Sequence, residues 1–346
     1  MGSDQHDGVV KTRKLTTVDG FVLLDLEQAP GAVGVVRSAP KILVGGAEML
    51  ARSVTYSFAV FGIQASGASA GVNAAPEGRA AAVAAFAEEV AAFDPPVRFD
   101  PGRGVHADQL AALVATDPRP GLLSEVRDGV HGRDELAAAG ALACAEHVGG
   151  PLRDQRIAIE GFGPVGVALA RRAVAAGAKV VAVATPAGTA FEPEGFDPAA
   201  LAEAWAGNEE AMAKSIGASR KPAWAAWGAE VEVVFCGSKA GAMSHEGAAL
   251  LKARTVVPIA PVPITAKALA VMQRAGVVYI PDFVSLAAPL LVGVGAAEPD
   301  DTTARIIDVL RETSGQPEGL FMACCQRAEA FLRTWQDQLP FGRPLA

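Results

Sequence analysis

Cysteine, tyrosine and histidine are all scarce in this chain of 346 residues, at four, two and five. The cysteines are Cys144, Cys236, Cys324 and Cys325. They show no C-x-x-C spacing, and adjacent cysteines rarely bridge. They are therefore expected to be reduced core residues of a cytoplasmic protein. No cluster of histidine, cysteine and carboxylate has the spacing of metal ligands, so no metal site is expected. No apolar run reaches the ~18 residues that a membrane span needs. Positive charge does not predominate: 30 Lys and Arg stand against 38 Asp and Glu, for a net charge of −8. Without a basic stripe and with few tyrosines, nucleic acid is not the expected partner. The N-terminal stretch from Met1 to Asp7 is polar and lacks the apolar segment of a signal peptide. No internal repeat is visible.

What the chain does have is apolar bulk. Hydrophobic residues make up 51% of it and mean hydropathy is +0.27, with alanine accounting for much of both. The length suffices for two domains, each with its own core.

The stretch from Arg156 to Thr185 organises the rest. Ile157 to Glu160 is a short apolar run of the kind found in buried parallel strands. Gly161-Phe162-Gly163-Pro164-Val165-Gly166 then supplies G-x-G-x-x-G. Val165 to Ala176 has helical composition, and Val180 to Ala184 is a second buried strand. Strand, glycine turn, helix and strand within about thirty residues predict the unit that holds a dinucleotide. Gly161 permits the tight turn, Gly163 lets a pyrophosphate approach the backbone, and Gly166 lets helix and strand pack closely. The helix N-terminus offers free N–H groups and a positive dipole end to the phosphates. The second strand would end in Asp or Glu to hold the ribose 2′-OH of NAD, but Thr185 stands there. NAD, NADP and no dinucleotide at all remain open on these residues.

Earlier in the chain, Val10 to Leu24 predicts two strands around Asp19-Gly20, and Ala32 to Val36 another. Glu48 to Gly62 reads as a helix. Gly67 to Val72 reads as a glycine-rich turn followed by a strand. Arg79 to Phe93 and Asp134 to His147 read as helices. After the glycine motif, strands are expected over Glu230–Phe235, Thr255–Ala260 and Val277–Ile280. Helices are expected over Asp197–Met212, Ala248–Ala253 and Thr265–Arg274, and over Thr302–Trp335 with a break at Gly315–Gly319. This alternation predicts an α/β fold with a parallel sheet.

The order of motifs resembles the glutamate/leucine/phenylalanine/valine dehydrogenases. Val180 to Asp197 looks like that family's strand and the segment after it. Pro281-Asp282-Phe283 looks like its P-D before N-A-G-G. Gly45-Gly46, Val54-Thr55-Tyr56 and Gly67 to Val72 look like G-G, M-T-Y-K and G-G-x-K-G-G-I. The resemblance implies two domains: an N-terminal α/β substrate and oligomerisation domain over 1–132, and a Rossmann-type domain over 133–310. C-terminal helices over 311–346 would pack back on the first. It further implies an NAD(P)-dependent oxidoreductase with a small-molecule substrate, assembled as a dimer or larger homo-oligomer.

The departures from the family pattern bear on the chemistry. The two lysines that such enzymes use fall here at Ser57 and Ser69, and the ribose acid at Thr185. Two asparagines of the cofactor side fall at Pro261 and Leu286. A hydroxyl supplies neither a cation nor a tunable lysine. A less charged substrate than those of ordinary amino acid deamination is therefore expected. A lyase or isomerase on the same scaffold, or a silent ligand-binding homologue, is the alternative.

One feature of the pattern survives. Asp100-Pro101-Gly102 matches the D-x-G that carries the catalytic aspartate, and Asp108 follows. Asp100 is the candidate proton carrier, against a role merely capping a turn before Pro101. His106 lies near enough in sequence to share that site. Tyr56, Ser57 and Ser69 are the candidate substrate-side residues. Lys239, just past a predicted strand end, is a candidate at the place where ligands collect in open α/β sheets.

Overall fold

The computed structural model describes residues 10–205, 209–217 and 222–341. The chain forms two compact units. One holds the residues up to Pro118 together with those from Cys325 onward; the other is Arg119–Cys324. The expected junction at 132 thus lies inside the second unit. The reason is local. Gly132 donates its N–H to the Glu125 carbonyl at 2.9 Å, and an added Cβ on it would meet the Leu122 carbonyl at 2.0 Å. The residues just before Gly132 are therefore packed with the helix that it begins.

The first unit is a five-stranded sheet. Its strands are β1 (Lys11–Lys14), β2 (Gly20–Leu24), β3 (Ala32–Ala39), β4 (Ser66–Asn73) and β5 (Val97–Pro101), in the order β1-β2-β4-β3-β5. β3 runs parallel to both β4 and β5, while β2 is antiparallel to β4. The helices α1 (Val44–Val60), α2 (Arg79–Ala91) and the short α3 (Ala111–Val114) accompany it. Residues alternate across the two faces. Ala68, Ala70 and Val72 of β4 join Val36, Phe99 and the α2 residues Val83, Phe86 and Val90 in one core. Phe86 and Phe99 meet edge to face at 5.7 Å, worth about 1 kcal/mol beyond the area they bury.

On the other face, Phe21 and Leu23 meet Ala47 and Ala51 of α1. Here the glycines of β4 act in a way their sequence does not announce. A Cβ on Gly67 would stand 1.7 Å from the Ala51 carbonyl oxygen. The Gly67 N–H donates to the Thr55 hydroxyl at 2.9 Å. Gly67 is thus an interior strand position pressed against a helix, and β4 is continuous from Ser66. The expected glycine-rich turn is not formed. Gly45-Gly46 likewise belongs to the first turn of α1 rather than to a loop. Within this unit, Arg52 donates to buried Asp25 through Nε at 3.1 Å and also faces Glu48 at 3.2 Å. Burial raises the Asp25 carboxyl above its ordinary range, against the opposing pull of Arg52.

The second unit contains a two-stranded ribbon, β6 (Val126–Arg127) and β7 (Val130–His131), followed by α4 (Gly132–Gly149). Its main sheet comprises β8 (Arg156–Glu160), β9 (Lys179–Thr185), β10 (Gly188–Phe191), β11 (Val233–Cys236), β12 (Thr255–Pro258) and β13 (Val278–Tyr279). The order is β10-β9-β8-β11-β12-β13, with all pairings parallel except β9 with β10. From β8 the chain first builds outward through β9 and β10, then returns to lay β11, β12 and β13 on the other side. Strand order therefore reverses between β8 and β11, which is where ligands bind in open α/β sheets. The connecting helix α5 (Pro164–Ala175) begins with proline at its first position, where the missing N–H costs nothing. The expected helix over Thr302–Trp335 is two helices, Thr302–Thr313 and Leu320–Leu332, separated by a break containing Gly315 and Gly319, both with positive φ. The four cysteines are buried and form no disulfide among the described residues. No helix among the described residues is long and apolar enough to cross a membrane.

Candidate functional site

In the second unit the glycine motif lies at the C-terminal end of β8, beside the strand-order reversal. Its three glycines differ in what holds them. Gly161 has φ of +86°, and a Cβ there would stand 2.2 Å from the Ser238 nitrogen; no other residue fits. Gly166 lies against the ring of Phe162 and against Ile159, at 3.2 and 3.6 Å from an added Cβ. Gly163 is different. Its backbone is extended, at φ −141° and ψ −160°, which any residue adopts. A Cβ on it would meet nothing within 4 Å. Neither packing nor backbone conformation requires glycine here, and the open space would admit the close approach of a phosphate group. Val165 and Gly166 follow in the first turn of α5, which carries no acidic side chain to offset its positive end. These residues fit a dinucleotide pyrophosphate.

The motif is braced from below. The Glu160 side chain is 1% exposed. Its Oε2 accepts the N–H groups of Gly237 and Ser238 at 3.2 and 3.3 Å and the Cys236 thiol at 3.4 Å. Burial, with Glu160 beside it, pushes the Cys236 thiol well up and keeps it protonated. Phe162, expected to face the cofactor as part of the motif, is buried against Trp205 and is packing. Pro164 is exposed, and Lys239 stands exposed just past the end of β11.

Thr185 is 1% exposed, and its hydroxyl accepts the Ala187 N–H at 3.2 Å. It closes the tight turn into antiparallel β10, a strand the sequence does not announce. This engagement supplies neither a carboxylate nor an open hydroxyl at the usual ribose position. Further along the same sheet edge, Val262 adopts φ of +53°, a strained conformation for a β-branched residue. The Asp282 carboxylate holds it, accepting the Val262 N–H at 2.8 Å. The Ser285 hydroxyl donates to the Pro258 carbonyl at 3.0 Å. Pro261 and Leu286, the two sites of missing asparagines, flank these bracing contacts.

In the first unit, two expected residues fall in one row across the sheet. Ser69 of β4 pairs with Val35 of β3, and Val35 pairs with Asp100 of β5. Partners in register share a face, so Ser69 and Asp100 lie on the same side of the sheet, about 10 Å apart at the backbone. Asp100 is therefore a strand residue rather than part of the turn after Pro101. The Ser69 hydroxyl is buried and has no hydrogen-bond partner among the described residues.

His106 is not brought into this row. It is exposed at the start of a short 3-10 turn over Ala107–Leu110, where its backbone N–H donates to Gln109. Tyr56 is buried at 2% exposure and donates its hydroxyl to Glu329 at 2.9 Å. Burial and the Glu329 carboxylate push its phenol far up. Ser57 returns its hydroxyl to the Ser53 carbonyl, one turn back in α1. Tyr56 and Ser57 thus both make hydrogen bonds within the first unit. Glu160 escaped the sequence reading, although a carboxylate ending an apolar strand just before G-x-G-x-x-G is a signal in itself.

Comparison with known proteins agrees with this architecture. The family model of Glutamate/Leucine/Phenylalanine/Valine dehydrogenase matches residues 128–288. A cryptic catabolic NAD-specific glutamate dehydrogenase of Bacillus subtilis (strain 168) is 37% identical over 76 residues, 21% of this chain. That match spans only 18% of the relative's own length. Among solved structures, a hetero-hexameric glutamate dehydrogenase of Thermus thermophilus in a Leu-bound form aligns with a TM-score of 0.74 at 24% identity, covering 93% of this chain and 88% of that one. An L-tryptophan dehydrogenase of Nostoc punctiforme aligns with a TM-score of 0.61 at 16% identity, covering 94% and 95%. These likenesses establish a shared fold over nearly the whole chain. The glycine motif, the reversed strand order and the match over 128–288 fall on the same segment, and that segment is similar to the glutamate/leucine/phenylalanine/valine dehydrogenase family.

Proposed function

We propose that the protein is an NAD(P)-dependent oxidoreductase of the amino acid dehydrogenase type, acting on a substrate less charged than glutamate. The observation that carries this reading is Gly163. Neither packing nor backbone conformation requires glycine there, and a pyrophosphate beside the α5 N-terminus would. The bound dinucleotide would supply the hydride acceptor. Gly161, Gly163, Val165 and Gly166 would orient it, with Glu160 keeping the neighbouring loop in place. Asp100, on the sheet face it shares with Ser69, would hold and move the proton.

Serine at 57 and 69 supports a narrower substrate than glutamate. Neither can neutralise a second carboxylate, and Ser57 is spent within its helix. The fold also carries an L-tryptophan dehydrogenase, so an apolar amino acid or its 2-oxo acid is compatible with the scaffold. By the same likeness to a hetero-hexameric enzyme, assembly into an oligomer is expected; light scattering on the purified chain measures it. Burial of Thr185 favours a second reading, a ligand-binding homologue without turnover, because it removes the usual ribose contact.

Thermal unfolding with and without NAD+ and NADP+ separates the two, followed by a hydride-transfer assay on apolar amino acids. A shift of several degrees with one dinucleotide, and turnover lost in Asp100→Asn at unchanged melting temperature, is the expected result. A shift without turnover on any substrate supports the silent reading. No shift with either dinucleotide overturns both the cofactor and the redox chemistry.

A further inference from the structure

Bracing explains the acceptor oxygen of Glu160 but not its charge. The residue ends β8, an interior strand, in register with Ala184 of β9 and Cys236 of β11. Its side chain is buried, and the Gly237 and Ser238 N–H groups and the Cys236 thiol all donate to Oε2. An ionised carboxylate is an acceptor only, and these contacts suit that form. Burial and the neighbouring carboxylate keep the thiol protonated, so Cys236 adds no second anion. The neutral amide of a glutamine also carries an acceptor oxygen. Holding the loop therefore requires no charge.

No cation answers that charge. Among the described residues, no Lys, Arg or His forms an ion pair with Glu160. β9 sets Ala184 and Thr185 beside it. The 3-10 stretch Ala223–Gly228, which also packs on β8, has no ionisable side chain. Arg171 and Arg172 of α5 are taken by Glu135. Lys239, three residues beyond Cys236, is exposed and forms no ion pair among the described residues. A lone carboxylate removed from water is costly. This one stands directly before a cradle suited to phosphate, where it opposes every anion that enters. Ligands with the same pyrophosphate share that opposition, and differ only through charge carried elsewhere. Oxidised and reduced nicotinamide dinucleotides differ in that way: the ring is cationic when oxidised and neutral when reduced.

We propose that Glu160 is a specificity-determining residue that selects the oxidation state of the bound dinucleotide, favouring the oxidised form over the reduced one. The selection rests on the dinucleotide reading above and adds to it a preference between the two forms. Glu160 acts through its field rather than by touching the ring, since in a low-dielectric interior a buried charge is weakly screened and acts beyond contact distance.

The test is binding, read calorimetrically without turnover. Wild-type protein and Glu160→Gln are each titrated with NAD+ and NADH, or with NADP+ and NADPH where the thermal shift selects those. Glu160→Gln is expected to raise the affinity of the reduced form relative to the oxidised form by at least about fivefold, with both forms still bound. Loss of the brace alone would alter both forms equally. In wild type the preference for the oxidised form is expected to persist between about 0.05 and 0.5 M salt, because a buried charge is poorly screened. Should Glu160→Gln fail to fold, wild type decides. The benzamide analogue of the bound dinucleotide keeps the shape of the oxidised ring without its charge. It is expected to bind at least about fivefold more weakly than the oxidised form. An unchanged ratio in Glu160→Gln, a preference lost in salt, or equal affinity for the benzamide analogue each overturns selection by Glu160. The two proposals fail separately. Binding of both forms with a ratio independent of Glu160 discards the selection and keeps the dinucleotide site. No binding of any dinucleotide discards the site, and the selection with it.

Discussion

Oε2 of Glu160 accepts the backbone N–H of Ser238 at 3.3 Å, joining the end of β8 to the loop after β11 across the point where strand order reverses. The glycine motif begins at the next residue, so its position is set by this brace. Replacing Glu160 by Ala is expected to cost about 1–3 kcal/mol, because the Ser238 N–H stays buried without its acceptor. Glu160→Gln keeps an acceptor oxygen and should cost less. Denaturant unfolding gives the difference, and hydrogen exchange at the Ser238 amide should accelerate in the Ala variant. Unchanged exchange there would show that the brace is dispensable.

The glycines of the motif should separate by experiment. Gly161→Ala must place a Cβ into the Ser238 backbone at a positive φ, and is expected to destabilise by about 2 kcal/mol or more. Gly163→Leu meets neither obstacle. Its melting temperature should stay within about 2 °C of wild type, since surface changes without strain are small. Its thermal response to dinucleotide should disappear. A retained response in Gly163→Leu would remove the case for a phosphate at this position.

Tyr56 tests whether the first-unit residues act on substrate or on the fold. Tyr56→Phe removes one hydrogen bond from the buried Glu329 carboxylate, which also faces Arg333 at 3.7 Å. The expected effect is a loss of about 1–2 kcal/mol in stability, with the KM of any substrate unchanged. A raised KM at unchanged stability would return Tyr56 to the substrate side.

Acid stability has an identifiable contributor. Burial opposes ionisation of Glu89, but hydrogen bonds from the hydroxyls and N–H groups of Thr17 and Thr16 outweigh it and hold the carboxyl down at about 2, from 4.5. A depressed carboxylate stabilises fully above the unfolded value and loses that contribution as pH falls. The window is therefore from about pH 4.5 down to about 2. Solvent screening at this partly exposed site limits the effect to about 1 kcal/mol. Glu89→Gln should be less stable than wild type at pH 7, and the gap should close toward pH 2 in urea unfolding at both pH values. A gap independent of pH would assign the loss to packing.

Sequence alone determined the elements whose signals are local. The run from Arg156 to Thr185 specified strand, turn, helix and strand because apolar periodicity and glycine spacing act over a few residues. The D-x-G at Asp100 and the loss of lysine at Ser57 and Ser69 were equally legible, since they need only residue identity and order. What tertiary structure decided is partnership. That Gly67 and Gly71 lie inside a strand follows from α1 pressed against Gly67 and from Phe21 and Ile42 packed over Gly71, which propensity argues against. That Thr185 is spent in a hairpin, that Tyr56 bonds Glu329, and that Glu160 braces a distant loop all depend on long-range pairing. Arg37 is the sharpest case. In sequence it is one basic residue among thirty, and only the pairing of β3 with β4 and β5 leaves its Nε and Nη2 buried and unmatched among the described residues.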